Sequence, residues 1–179
     1  MVSTALLLLI AGFETTVNLI GNGTVALLGD PGSWNRLCQD PALVPAAIEE
    51  MLRYDSPVQL TVRIATDDVE VGDGVITAGR AVIVLIGGAN RDPGVFEQPD
   101  EFRIDRPDPG RHLSFSLGIH HCLGAALARL EGRIAIEELT RRYPTLELAA
   151  PPTRRPLLVL RGFESVPVRA TQLPSLSAA

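Results

Sequence analysis

The stretch FSLGIHHCLGAALAR, residues 115–129, sets a single cysteine between two glycines, directly before a segment with a helical pattern. Backbone N–H groups at a loop-to-helix junction stabilise negative charge, and cysteines that bind metals as thiolates are often found in such places. Gly118 and Gly124 carry no Cβ, so a large flat group can come close to the backbone on either side of the sulfur. The pattern predicts that Cys122 is a metal-ligating thiolate, although a lone cysteine before a helix is more often a buried structural residue.

This run closely resembles the haem-ligand signature of the cytochrome P-450 superfamily. Ser116 departs from the signature, because the family usually has glycine there. The resemblance implies haem b whose iron is ligated by the Cys122 thiolate. The matching positions are Phe115, Gly118, His120, Cys122, Gly124, Leu127, Ala128 and Arg129.

Composition narrows the class of protein. The chain has 179 residues, enough for one well-buried domain, and its net charge of -5 argues against nucleic acid as a partner. Two cysteines in dissimilar settings give no disulfide framework, which favours a reducing, cytoplasmic location. The apolar run 5–11 is shorter than the roughly 20 residues that span a bilayer, and no basic residue precedes it, so we expect a buried helix and no membrane contact.

Periodicity predicts helices at both ends of a middle built from short strands. The expected helices are 2–20, ending near Gly21-Asn22-Gly23, then 24–28, 34–38, a helix from Asp40-Pro41 to Tyr54, and 123–143. The expected strands are 59–66, 68–71 and 75–76, with a final hairpin over 156–168 around Gly162. Residues 80–86 fit a buried strand or a helix equally well, and 87–122 form a long irregular segment of the kind that is usually functional.

The first helix contains the segment Ala11-Gly12-Phe13-Glu14-Thr15-Thr16. An acid beside a threonine in an apolar helix is costly to bury unless it is used, the alternative being a solvated glutamate at a helix end. The segment resembles the oxygen-binding helix of the same family. By that resemblance Ala11 and Gly12 leave room for dioxygen, Thr15 hydrogen-bonds to the iron-bound oxygen and Glu14 relays protons.

Glu50 and Arg53 lie three residues apart on the fourth predicted helix, a spacing that also suits an ordinary surface ion pair. In the family such a pair fixes the long loop beneath the haem with the help of an arginine from a Pro-x-Arg-Phe segment. This chain has Pro99-Asp100-Glu101-Phe102 there, so either Arg103 or Arg106 must take that place.

Haem carries two propionates, which need cationic or hydrogen-bonding partners. Arg63, His120 and His112 match the family's positions for these contacts, whereas a loop histidine in solvent is the plainer reading of His112. Zinc held by His112, His120 or His121, and Cys122 is a rival hypothesis, but adjacent His121 and Cys122 suit a tetrahedral site poorly.

The resemblance covers residues 1 to about 170 and only the second part of the family's fold. It implies an α+β, mainly α, C-terminal portion: a long distal helix, the helix with Glu50 and Arg53, a small β-sheet, an irregular meander, the cysteine loop and the helix after it. We therefore expect one haem-thiolate domain over 1–170, truncated at its N-terminus, and a flexible tail over 171–179.

The implied activity is that of a soluble bacterial-type monooxygenase, which inserts one atom of dioxygen into a small apolar substrate. Its electrons would come from a ferredoxin or flavodoxin-type partner, for which Arg129, Arg133, Arg141 and Arg142 form a candidate basic strip. The alternative is a non-catalytic remnant or interaction module with the lower half of the fold. We expect the chain alone to expose apolar residues 4–10 and to turn over no substrate.

Overall fold

The computed structural model describes residues 2–170, so Met1 and the predicted tail at 171–179 lie outside the described residues. Helices dominate the N-terminal third of this range and residues 125–142, and short strands follow each of these helical parts. The helices are α1 (Val2–Gly29), α2 (Ser33–Gln39), α3 (Val44–Tyr54), α4 (Ile86–Ala89) and α5 (Ala125–Arg142), with single 3-10 turns at Pro41–Leu43, Pro109–Arg111 and Gly118–His120. The strands are β1 (Leu60–Ile64), β2 (Val69–Val71), β3 (Gly74–Ile76), β4 (Ala81–Leu85), β5 (Glu147–Leu148), β6 (Thr153–Arg154), β7 (Phe163–Ser165) and β8 (Val168–Arg169).

The predicted break in the first helix at Gly21-Asn22-Gly23 is wrong, because α1 continues without interruption to Gly29. Gly23 serves packing, since a Cβ at this position would overlap the side chain of Met51 on α3. Asn22 is also engaged, donating its amide N–H to the carbonyls of Asp55 and Arg161. Tertiary contacts thus outweigh the low helix propensity of the two glycines.

Helices α1, α2, α3 and α5 enclose the apolar core. Pro41 opens a single 3-10 turn, capped by the Asp40 carboxylate on the Ala42 N–H, before α3 begins at Val44. On α3 the alternation of apolar and charged residues at helical spacing turns one face to the core. The most deeply buried apolar residues, each 0% exposed, are Leu27, Leu37, Val44, Ala47 and Ile136.

The strands form four antiparallel pairs. β1 pairs with β4, from Leu60 opposite Leu85 to Ile64 opposite Ala81, so residues 80–86 are mainly strand. The final hairpin differs from its predicted bounds: β6 pairs with β7 and β5 with β8, so it starts at Thr153 rather than 156. Gly162 lies against α1, where a Cβ would overlap the amide of Asn18.

Two apolar surfaces face solvent. Residues 2–13 of α1 are exposed throughout, which contradicts the expectation of a buried helix for 5–11 and matches the expectation that the chain alone exposes 4–10. On α5 and the residues before it, Leu123, Leu127, Leu130 and Ile134 are exposed as well. In the described chain nothing packs on these faces. Helix α1 is long and apolar enough to cross a membrane, with 11% of its apolar window buried, but helices of soluble cores and signal sequences share these properties.

Candidate active site

A cavity of about 270 Å³ lies where α1, β1 and the cysteine loop meet. It is mostly apolar, with Leu19, Leu52 and Ile86 at its floor. Residues that sequence alone assigned to three separate segments line the same cavity: Ala11, Thr15, Arg63, Phe115, His120 and Cys122. The exposure of Ala11, His120 and Cys122 shows that the cavity is an open cleft.

The cysteine loop has a tightly defined backbone. The Cys122 N–H donates to the Phe115 carbonyl at 2.8 Å, and the Ala125 N–H donates to the Cys122 carbonyl at 3.2 Å as α5 begins. Gly118 has φ +63°, a backbone conformation that residues with a side chain rarely adopt. A Cβ at Gly124 would come 3.9 Å from the Cys122 Sγ, which is an ordinary contact distance. Neither glycine lines the cavity, and both shape the loop that presents the sulfur.

Ser116 adopts a left-handed conformation with φ +60°. This backbone conformation costs an L-residue about 1–2 kcal/mol and costs glycine almost nothing. The position where the chain departs from the family signature is therefore one at which the backbone favours glycine.

Thr15 and Ala11 lie on the cavity wall formed by α1, and the Thr15 hydroxyl donates to the Ala11 carbonyl at 2.5 Å. Glu14 and Gly12 do not line the cavity. The Glu14 carboxylate is half-buried at the side of α1, where Arg155 donates to it at 2.9 Å. The hydroxyl and the carboxylate that sequence paired thus point to different surroundings.

Arg63 and His120 both line the cavity and also a neighbouring one of about 230 Å³. The Arg63 guanidinium is fixed by its donation to the Thr61 hydroxyl at 2.6 Å. The structure does not bring His112 to either cavity. The His112 ring is buried and both its nitrogens have protein partners, so the propionate contact expected for it stays a prediction.

Glu50 is the centre of a fully buried ion cluster. Arg53 donates two hydrogen bonds to its carboxylate, at 2.7 and 2.8 Å, and the Arg106 Nε lies 3.0 Å from the same group. Of the two arginines that the sequence left open, Arg106 supplies the guanidinium, whereas Arg103 donates only its backbone N–H to Glu50. The remaining N–H groups of Arg53 and Arg106 bind carbonyls of the long irregular segment: those of Asn90, Glu97, Gln98, Pro99 and Glu101.

Glu49, which sequence reasoning passed over, lies on the face of α3 that meets the cysteine loop. Its carboxylate accepts two hydrogen bonds from Arg129, at 2.7 and 3.0 Å, and lies 3.1 Å from the His112 Nε2. Burial alone would raise the pKa of Glu49, but the hydrogen bonds from His112 and Arg129 lower it to about 2. The available signal was the adjacent pair Glu49-Glu50. Consecutive residues lie on different faces of a helix, so the two acids were expected to have different surroundings.

The four arginines of the candidate basic strip all have acidic partners. Arg129 pairs with Glu49, Arg133 with Glu137, and both Arg141 and Arg142 with Glu138. The plain interpretation of a balanced helix face therefore describes this surface better than a free positive strip. Across residues 2–170 no three His, Cys, Asp or Glu side chains gather into a metal-binding group, and His112 contacts Glu49 rather than Cys122.

The family model described as Cytochrome P450 matches residues 33–162 of this sequence. The chain belongs to the cytochrome P450 family. Membership implies a haem-thiolate cofactor, and the cavity fits such a group: a thiol and a guanidinium line it, apolar side chains form its floor, and small residues border it on α1.

Among related P450s, the putative cytochrome P450 140 of Mycobacterium tuberculosis is 51% identical over 162 residues, which is 90% of this chain and 37% of the relative. The crystal structure of P450BioI with an acyl carrier protein carrying hexadec-9Z-enoic acid superposes with a TM-score of 0.89 at 48% identity, covering 92% of this chain and 43% of that one. The tirandamycin C-bound P450 monooxygenase TamI gives a TM-score of 0.91 at 43% identity, with 95% and 43% covered. The chain thus spans about two fifths of the length of these P450s.

Proposed function

We propose that this chain carries the haem-thiolate site of a P450 monooxygenase, in which the cleft would hold haem b and Cys122 would supply the thiolate ligand of its iron. The observation that supports this most is the convergence of Cys122, Arg63, His120, Ala11 and Thr15 on one cavity. When bound, haem iron with a thiolate ligand activates dioxygen and transfers one oxygen atom to an organic substrate.

The residues of this chain would divide the work by position. Cys122 would supply the thiolate from the end of the loop, where its backbone N–H is fixed by the Phe115 carbonyl. Arg63 and His120 stand between two cavities, where they can bind the propionates as charge-assisted hydrogen-bond donors. On the cavity wall formed by α1, Thr15 provides a hydroxyl group, which donates to the Ala11 carbonyl. The small side chain of Ala11 leaves space on the same wall.

The role that we propose for Glu14 is proton relay. For this role its carboxylate must give up the hydrogen bond from Arg155. The two side chains of the Arg155 ion pair are 33% and 31% exposed, so water can reach the carboxylate and replace this partner. A relay from Glu14 to Thr15 then passes between two consecutive residues of α1, from the side of the helix that faces Arg155 to the side that faces the cavity. Phe115 and Gly118 would shape the cysteine loop. Gly12, which has no side chain, would leave space on α1 beside the cavity.

Turnover requires more protein than the described residues. A P450 pocket must enclose its substrate and exclude water, and here Ala11, His120 and Cys122 are exposed. More than half of the length of the relatives lies outside the match. We propose that this remaining part, joined to the chain or supplied as a second polypeptide, covers the apolar face of α1 and completes a pocket for a small apolar substrate.

The complete enzyme would work in the cytoplasm with a ferredoxin or flavodoxin-type electron donor. P450BioI binds an acyl carrier protein that carries hexadec-9Z-enoic acid, so carrier-bound acyl chains belong among the candidate substrates to test for this chain. A non-catalytic module is the second candidate, and the long unpartnered half of α1 is the observation that favours it.

Haem titration of the purified chain tests the proposal. The ferrous carbon monoxide spectrum should show thiolate ligation, and Cys122→Ser should abolish it. Cys38→Ser is the matched control, because Cys38 lies far along the chain with its thiol against the Thr140 carbonyl. Loss of the thiolate spectrum in the Cys38 variant, or its survival in the Cys122 variant, would overturn the assignment of the ligand.

A second measurement separates the two candidate functions. Oxygen consumption and product formation are compared for the chain alone and for the chain with the upstream part of a close P450 relative supplied in trans. A monooxygenase part should form product only when completed, whereas a non-catalytic module should consume no oxygen in either case.

A further inference from the structure

The Glu49 carboxylate joins three segments of the chain that surround the cysteine loop. It lies on α3, it accepts from Arg129 on α5, and it contacts His112, which precedes the loop. His112 and Arg129 therefore bracket residues 113–128, which contain Cys122. The Glu49 side chain is 18% exposed and the His112 side chain 1%, so water competes little for the bond between them, whereas the Arg129 side chain is 37% exposed.

The hydrogen bonds fix which nitrogen of His112 carries the proton. The Ser114 N–H donates to the His112 Nδ1 at 3.2 Å, so Nδ1 is the acceptor and Nε2 bears hydrogen. Nε2 then donates to Glu49, whose carboxylate accepts three N–H bonds in all. A replacement that loses either the charge or the acceptor geometry of Glu49 breaks the arrangement at both ends of the loop.

The contacts made by His112 and Arg129, at the two ends of the loop, reach Cys122 through Phe115. The Arg129 guanidinium lies over the Phe115 ring, 4.5 Å from its centroid, and the Phe115 carbonyl accepts the Cys122 N–H at 2.8 Å. From the other side, His112 holds the Ser114 N–H next to Phe115. The position of the thiol thus depends on a ring and a carbonyl that Glu49 fixes through two separate partners.

We propose that Glu49 is a positioning residue for the Cys122 ligand, which it holds through Arg129 and His112 as a clamp on the two ends of the loop. The clamp is separate from the Glu50 cluster, whose arginines bind carbonyls between Asn90 and Glu101 and none in the cysteine loop. The consequence for haem rests on the proposed function, whereas the consequence for the loop itself does not.

The test compares Glu49→Gln with two matched controls. Glu138→Gln removes a carboxylate that also binds two arginines but lies at the far end of α5. Ile136→Val removes a fully buried methylene group and lowers stability without touching the loop. Hydrogen exchange of the amides of residues 112–124 and the alkylation rate of Cys122 are measured in the haem-free chain under native conditions.

We expect Glu49→Gln to speed amide exchange in the loop about tenfold, as loss of a charge-assisted hydrogen bond predicts, with faster alkylation of Cys122. Both controls should leave these local rates unchanged. Equal rates in Glu49→Gln and Ile136→Val would overturn the clamp. Arg129→Lys, which keeps the charge but cannot bind in the bidentate manner, serves as the second variant if Glu49→Gln does not fold.

The haem-bound chain provides the second arm. In Glu49→Gln the ferrous carbon monoxide complex should show a smaller share of thiolate ligation than in either control. If the wild-type chain binds no haem, the proposed function fails while the exchange measurement still decides the clamp. If it binds haem and the thiolate share in Glu49→Gln equals that in the controls, the clamp does not act on the ligand.

Discussion

The two halves of α1 belong to one helix and have opposite surroundings. Residues 18–27 contain buried positions such as Asn18, Leu19 and Leu27, packed against α3, α5 and the final hairpin. Residues 2–13 are exposed throughout and include Leu6–Ile10 and Phe13. The same helix therefore supplies a wall of the core at one end and an unpartnered surface at the other. The comparison indicates that the second half of α1 is held by contacts within the described fold, whereas residues 2–13 have no such support among residues 2–170.

The largest effect is expected from the buried side, at Glu50→Ala. This substitution leaves Arg53 and Arg106 buried beside no carboxylate and should cost about 3–5 kcal/mol of unfolding free energy. Denaturant unfolding followed by circular dichroism measures the change. Glu138→Ala, an exposed acid with two arginine partners, should change the midpoint little. Similar midpoints for both variants would show that the buried cluster is not what supports this half.

Gly23→Ala tests the packing of the buried half of α1 directly. The new methyl group meets the Met51 side chain, so we expect a loss of about 1–3 kcal/mol despite the higher helix propensity of alanine. Thermal and denaturant unfolding measure the loss. A gain in stability would mean that Met51 moves aside at no cost.

Gly21→Ala is the matched substitution two residues away, where a Cβ has no neighbour within 4 Å. Here only helix propensity acts, and the variant should gain about 0.5–1 kcal/mol. Opposite signs at positions 21 and 23 would sharpen the comparison, since both glycines lie in one uninterrupted helix. Equal signs would contradict the packing explanation for Gly23.

The smallest effect on stability is expected in the exposed half. The double substitution Leu7→Glu and Leu9→Glu replaces side chains that are 64% and 67% exposed, and should change the unfolding free energy by less than about 0.5 kcal/mol. Self-association, measured by sedimentation velocity, should fall because the exposed apolar patch is interrupted. A large loss of stability would show that this half has a partner within the chain.

The Glu50–Arg53 pair could be predicted from the sequence, because buried charges require special surroundings. Cys122 between two glycines stands out for a similar reason, and its role as a ligand stays a prediction. The choice between Arg103 and Arg106 could not be made, since it depends on how residues 97–106 fold back on α3. The glycines of α1 predicted a break because helix propensity is a local property. It contains no information about Met51, which packs on Gly23 from α3.

The unforeseen partners of His112 and the omission of Glu49 have one cause. Each residue taken alone has an ordinary interpretation, a loop histidine and a surface acid. Their pairing across 63 positions of sequence becomes visible only when α3 meets the loop. The same holds for Glu14, whose partner Arg155 lies 141 positions away.

The arginines of the Glu50 cluster bind main-chain carbonyls of Glu97, Gln98, Pro99 and Glu101, not their side chains. Every amino acid offers the same carbonyl, so the side chains along this segment are free to change while the attachment persists. A chain with Pro99-Asp100-Glu101-Phe102 in place of Pro-x-Arg-Phe can therefore keep its loop in place. The anchoring therefore tolerates mutation in residues 97–101, which are held through their carbonyls. It does not tolerate mutation of Glu50, Arg53 and Arg106, which hold them.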